Sequence, residues 1–333
     1  MGKGYGDIGE KLSDKSWRAV GNISARISPM KLRALLCVAV ALIPISGCGT
    51  KTPAAIEITA SDVTSLLISS TETPAFHRVV ALANGSAEVI DALGLKKVLI
   101  GRDIASTDSS LKSIPIVTSG HQVVAEKIIS LAPDLVIIDP SVGPSQAIDA
   151  LKKSGITVIS IKETWNVQGI SSKIGEIAGI LKVERSGQAL SAEMKKSIAR
   201  SAAKVTGSPR VAFLYLRGGN SIYLLGGKGS GADSMLESIG AIDVGAEKSS
   251  IAFSNLTSES LVGANPQIIL VMIKGLASVG GAKGLVNLPG IAQTDAGKNS
   301  RIIAVDDSLL LSFGPRTPDL LNKLAAALNT VRK

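Results

Sequence analysis

The sequence predicts an α/β protein of two Rossmann-like lobes joined by a long α-helix, with a ligand cleft between the lobes. Three observations carry this reading. Short apolar runs alternate with helical patterns in two blocks, the pattern of βαβ units and parallel sheets. One long helical stretch separates the blocks. A helix–proline–strand unit also occurs twice, as AEKIISLAPDLVIID (residues 125–139) and SESLVGANPQIILVM (258–272), an offset of 133 residues. Each copy has a glutamate, Glu126 or Glu259, near its head, and a proline, Pro133 or Pro266, before the apolar run.

The first block, residues 76–165, is the N-terminal lobe. RVVAL (78–82) reads as a strand and SAEVIDALGL (86–95) as a helix capped by Ser86 and stopped at Gly94. KVLIG follows as a strand, VAEKIISL as a helix, DLVIID as a strand, SQAIDALKKSG as a helix and ITVISI as a strand. The uninterrupted apolar run Leu135–Ile138 suits a parallel strand covered on both faces. Residues 166–205 are the connector, either one long helix or two broken near Gly187. The second lobe, residues 206–333, resumes with RVAFLYL, SIYLLG, GADSMLESIGA, SESLVGA, QIILVM and RIIAVD, and closes on the helix PDLLNKLAAALNTVR. In such sheets ligands bind outside the carboxyl ends of the strands, here between the lobes.

Of the 333 residues, 45% are hydrophobic and 19% charged, a globular composition. The net charge is +9, and residues 1–47 supply +4 of it through seven Lys/Arg and three Asp/Glu. The remaining +5 is spread without a basic cluster, so no nucleic-acid partner is expected. The front end reads as a signal region. In MKLRALLCVAVALIPISGC (30–48), Lys31 and Arg33 precede a ten-residue apolar run that is too short for a stable membrane span. Met30 is the expected start, with residues 1–29 a gene-start error. The run ends on small residues followed by Cys48, which resembles a bacterial lipobox in which the cysteine is acylated. Residues 48–75 then read as lipid anchor and tether, with a short strand near 56–58. Past the signal only Cys48 remains, so an internal disulfide is excluded from the mature chain.

Several motifs fall away. GKGSGA (227–232) fits a Gly-rich nucleotide loop, but such loops are weak signals alone, and Gly229 stands where a P-loop needs Ser or Thr. No Cys/His cluster has zinc spacing, and no nucleophile-elbow string supports a serine hydrolase. An exported enzyme or sensor on this fold would need an acid–base pair in the cleft, and none stands out; no enzyme is expected.

The lipobox, two lobes and helical connector resemble the substrate-binding lipoproteins of bacterial ABC importers, in the branch serving cobalamin, siderophores and haem. GRDIASTD, VTSGHQVVAE, DPSVGPSQ, YLRGG, SVGGAKGLVNLPGIAQTDAGKN and LLSFGPRTP look most like the haem-binding, HmuT-type members. The resemblance implies a monomer anchored by lipid on the extracytoplasmic face of the cell membrane. It would bind haem b (hemin) and deliver it to an ABC permease dimer with its ATPase. It also implies axial iron ligands at His121 and Tyr215, one per lobe. A lone loop histidine is otherwise a weak ligand candidate. Tyr215 and Arg217 are two apart in a strand and share a face, and a guanidinium beside a phenol favours the ionised oxygen that suits ferric iron; the plain alternative is a half-buried tyrosine with a solvated arginine. Phe253 and Met272 would pack on the porphyrin or belong to ordinary core. Arg102, Lys228 and Arg316 are loop cations open to the propionates, and the sequence does not choose among them. In the relatives, glutamates matching Glu126 and Glu259 pair with permease arginines; the plain alternative is a favourable place in a first helical turn. A ferric siderophore or cobalamin is the competing ligand, one that would leave Tyr215 and His121 without a coordinating role.

Overall fold

The computed structural model describes residues 53–120, 122–201, 205–220 and 222–332. Strand β1 (Ala55–Ile58) lies parallel against a strand near the far end of the chain. The N-terminal lobe follows. Its sheet consists of β2 (Val79–Ala81), β3 (Leu99–Arg102), β6 (Leu135–Ile138) and β7 (Thr157–Ser160), ordered β3-β2-β6-β7 and all parallel. Helices α1 (Ser86–Ala92), α2 (Ala125–Ser130) and α3 (Ser145–Lys153) alternate with these strands. Two short strands, β4 (Thr118–Ser119) and β5 (Gln122–Val123), pair antiparallel beside α2. Every residue of β2 and β6 is buried, as expected of apolar runs covered on both faces. Gly85, with φ 72°, rather than Ser86, caps α1, and the Ser86 hydroxyl donates to the Ala83 carbonyl.

The connector is two helices, α4 (Ile170–Leu181) and α5 (Glu184–Ser201). The break falls at Lys182, which is left-handed with φ 59°, not at Gly187. Gly187 has another use: a Cβ there would lie 2.4 Å from the Ala178 Cβ, so its absence lets α4 and α5 touch.

The second lobe contains β8 (Arg210–Arg217), β9 (Ile222–Gly226), β10 (Ile242–Asp243), β11 (Phe253–Asn255), β12 (Ile268–Met272) and β13 (Ile302–Val305). With β1 they form one sheet ordered β1-β13-β12-β8-β9-β11, and β10 joins the start of β8. The β8–β9 hairpin and the β9–β11 pair are antiparallel; the other pairs are parallel. Helices α6 (Ala232–Ser238), α7 (Val244–Lys248), α8 (Ser258–Ala264), α9 (Ile273–Ser278), α10 (Gly281–Val286), α11 (Asp295–Lys298), α12 (Asp307–Ser312) and α13 (Thr317–Thr330) complete it.

The stretch read as tether differs from expectation. β1 is an edge strand of the second lobe, and the following residues are tied down by Thr64 N–H to Asp319 (2.8 Å) and Ser186 N–H to Glu72 (2.7 Å). Cys48 and the signal region lie outside the described residues. Among the described residues no helix is long and apolar enough to cross a membrane.

The largest core runs without interruption from Val79 and Ile90 in the first lobe, through Ile174 and Met194 of the connector, to Phe213, Phe313 and Leu324 in the second. A polar seam crosses it where residues 83–86 meet 308–316. The Lys173 ammonium donates to the carbonyls of Asn84, Ser312 and Phe313 at 2.9, 2.9 and 3.2 Å. Asn84 donates to the Leu311 carbonyl, and Arg316 pairs with Glu88, both fully buried. This seam is the floor on which the cleft stands.

Candidate functional site: a cleft between the lobes

Above the seam the two lobes enclose a cavity of about 780 Å³, mostly apolar at its walls, a size usual for a small-molecule site. Leu82, Asn84, Asp103, Ile104, Thr118, Gly120 and Val142 line it from the first lobe. Tyr215, Arg217, Leu224, Ser230 and Phe253 line it from the second, with Trp165 and Leu311 between. These residues sit at or just beyond the carboxyl ends of β2, β3, β6 and β8, where parallel sheets place their ligands.

Strand β8 explains the Tyr215–Arg217 pair. Its odd-numbered residues Val211 and Phe213 enter the core that continues into the connector, while Ala212, Leu214 and Leu216 enter the core on the other face. Tyr215 and Arg217 continue the first face past the core and into the cavity. The Arg217 guanidinium carbon is 4.5 Å from the Tyr215 ring centroid. The guanidinium donates to the Leu216 carbonyl (2.9 Å) and to Asp307 Oδ1 (3.3 Å) rather than to the phenol oxygen. The arginine therefore stacks on the ring, a cation–π contact. On another side Phe253 meets the Tyr215 ring edge to face, centroids 5.6 Å apart.

The other sequence candidates divide. His121 lies outside the described residues; its neighbour Gly120 lines the cavity. Lys228 is exposed beside Gly229, another lining residue, and so stands at the rim. Three expectations are corrected. Met272 does not reach the cavity: it is fully buried in the shared core. Arg102 is turned inward, where its Nε donates to the carbonyls of Leu111 and Ile114, both at 3.0 Å, and its Nη1 to Ser106 at 2.9 Å. It shapes the loop that carries Asp103 and Ile104 to the cavity and is not offered to a ligand. Arg316 is 1% exposed and held by Glu88 across the seam.

Trp165, Asn84, Asp103 and Ile104 were not singled out from sequence, and Asp103 and Ile104 stood within the quoted GRDIASTD string. Asp103 accepts from Ala105 N–H (2.8 Å) and from the Ser106 hydroxyl, and burial raises its carboxyl above the usual range. Glu126 and Glu259 are exposed, each in the first turn of its helix, α2 or α8. Both helices start within a few residues of a lining residue, Val123 or Phe253.

Two α/β lobes on one continuous floor, with a largely apolar cleft between them, define a two-lobe solute-binding protein. The chain belongs to the Periplasmic binding protein family, whose model matches residues 79–309. This is the substrate-binding component of ABC importers, an extracytoplasmic family of transport proteins and not of enzymes. An uncharacterised ABC transporter substrate-binding lipoprotein, YvrC of Bacillus subtilis (strain 168), is 27% identical over 259 residues, 75% of this chain and 79% of YvrC. A cobalamin-binding protein of Halobacterium salinarum (strain ATCC 29341 / DSM 671 / R1) is 23% identical over 281 residues, 82% of this chain and 74% of that protein. Among solved structures, the apo form of the periplasmic haem-binding protein RhuT from Roseiflexus sp. RS-1 superposes with a TM-score of 0.72 at 34% identity, covering 77% of this chain and 99% of RhuT.

Proposed function

We propose that this chain binds ferric haem in the interlobe cavity and delivers it to the permease of an ABC importer. The observation that carries the reading is Tyr215 on the cavity wall with the Arg217 guanidinium stacked on its ring. Tyrosine oxygen is a known haem-iron donor, and a tyrosine on the wall of a largely apolar cavity, its ring held by a fixed guanidinium, is placed to supply one. His121, next to Gly120 in sequence, is the proposed ligand from the opposite lobe, and Phe253 packs against the porphyrin. Lys228, at the rim, is the proposed partner of a propionate. The likeness to RhuT supports haem. The cobalamin-binding relative supports a corrinoid as the second reading, in which Tyr215 has no iron to meet.

The two are separated by titrating the purified mature protein with hemin and with cyanocobalamin. The haem reading requires a shifted Soret band that is changed in Tyr215→Ala and in His121→Ala. Wild-type spectra in both variants refute the two ligands, and retention of cobalamin alone after dialysis refutes haem.

Delivery needs a docking face, and we assign it to Glu126 on α2 and Glu259 on α8. Three residues beyond each glutamate stands an exposed aliphatic, Ile129 (37% exposed) or Val262 (44%), again 133 residues apart. Each lobe thus offers one charge and one apolar contact to a partner of two like halves. Cys48 is the proposed lipid attachment point; a Cys48→Ser variant that still incorporates a fatty-acid analogue removes that assignment.

A further inference from the structure

We infer that Asp307 is the positioning residue of the Tyr215–Arg217 pair, a role that rests on the haem reading of the same site. The sheet register brings the parts together. Val305 of β13 lies opposite Met272 of β12, and Val271 of β12 lies opposite Leu214 of β8. Two residues past Val305 is Asp307; two past Met272 is Lys274; three past Leu214 is Arg217. Asp307, the Lys274 N–H and Arg217 therefore stand at one level on the carboxyl ends of three adjacent strands.

Asp307 uses both oxygens. Oδ2 accepts from the Lys274 backbone N–H at 3.2 Å and Oδ1 from Arg217 Nη2 at 3.3 Å. Its side chain is 12% exposed, that of Arg217 31%. One carboxylate oxygen is thus tied to the backbone of the first turn of α9, directly after β12, and the other holds the guanidinium. Arginine has many rotamers, and the cation–π contact alone is a weak constraint on them. The brace from β13 selects the stacked rotamer over one that swings into the cavity or toward a ligand carboxylate.

The test combines a double-variant cycle with a ligand-free measurement. Hemin release to an excess of a haem-scavenging apoprotein is timed for wild type, Arg217→Ala, Asp307→Ala and the double variant. Each single change should speed release about tenfold, and the double variant no further, since two residues acting through one contact are strongly coupled. Asp307→Glu, which keeps the charge, should restore most of the loss. In the hemin-free protein the side-chain NMR signal of Arg217, assigned by its absence in Arg217→Lys, should be sharp and should broaden in Asp307→Ala. Additive losses in the double variant, or an Arg217 signal unchanged by Asp307→Ala, overturn the assignment. If wild type takes up no hemin, the haem reading falls and the NMR signal alone decides whether Asp307 fixes Arg217.

Discussion

Arg217 has three neighbours of different kinds: a ring face, a carbonyl and a carboxylate. Only a planar, permanently charged group satisfies all three, and a lysine at this position loses the stacking and the fork. Tyr215→Phe keeps the ring under the guanidinium and removes only the oxygen. This variant should fold with wild-type stability, within about 0.5 kcal/mol, and, on the proposed haem reading, its hemin spectrum should differ from that of wild type. A wild-type ferric spectrum in Tyr215→Phe would exclude the phenol as ligand. The pair was legible before the structure because strand alternation puts residues two apart on one face. Arg102 and Arg316 were not legible as inward-turned, because their partners come from folding: Glu88 is 228 residues from Arg316 in sequence. A cation in a loop string looks the same whether it meets solvent, a ligand or a buried carboxylate.

At the scale of elements the repeated unit extends to the backbone. Ala132 and Asn265 both take positive φ, 45° and 40°, each immediately before the repeat's proline. Each helix thus stops with a left-handed residue, and the proline, which lacks a donor, turns the chain into its buried strand. The repetition places Glu126 and Glu259 alike on their lobes. Changing both to alanine should leave the hemin dissociation constant within about twofold and abolish hemin-dependent growth, since rim charges govern docking more than the cavity. Normal growth at normal protein levels would return both to the plain role of helix-start acids. In the connector, Gly187→Val would push methyl groups against Ala178 and should cost about 1–3 kcal/mol by urea unfolding; a neutral result would mean that α4 and α5 are free to separate. The break at Lys182 was not visible in sequence, because the helical pattern runs straight through it.

The largest core and one buried seam run through both lobes, so the lobes share stability. Glu88 is the group in the seam most exposed to pH. Burial pushes its carboxyl from an ordinary 4.5 up to about 7, against the pull of Arg316. Burial likewise lowers the Lys173 ammonium from 10.5 to about 8, opposed by Asp139 and Glu88. Between the two carboxyl values the folded protein keeps a proton that the unfolded chain has released. The Glu88 contribution to stability therefore falls as pH rises from about 4.5 to about 7. For Lys173 the unfolded chain keeps the extra proton, so its contribution recovers between about 8 and 10.5. The stability advantage of wild type over Glu88→Gln should narrow by about 2–3 kcal/mol between about pH 5 and pH 7.5 in urea titrations. A gap that does not change with pH would mean that Glu88 is ionised throughout.

Periodicity and punctuation in the sequence were enough to determine two α/β lobes, a helical connector, the doubled unit with its glutamates, and the face shared by Tyr215 and Arg217. These are local properties: a run of apolar residues, a proline or a period of two acts on its own neighbourhood. Folding alone decided that β1 closes the second lobe's sheet, that the connector bends at Lys182, that Met272 serves the core and that Arg102 and Arg316 serve the framework. It also decided that Asp307 reaches Arg217 across β12. Each of these depends on which distant segments become neighbours, and that follows from burying one continuous core rather than from any residue's own preference.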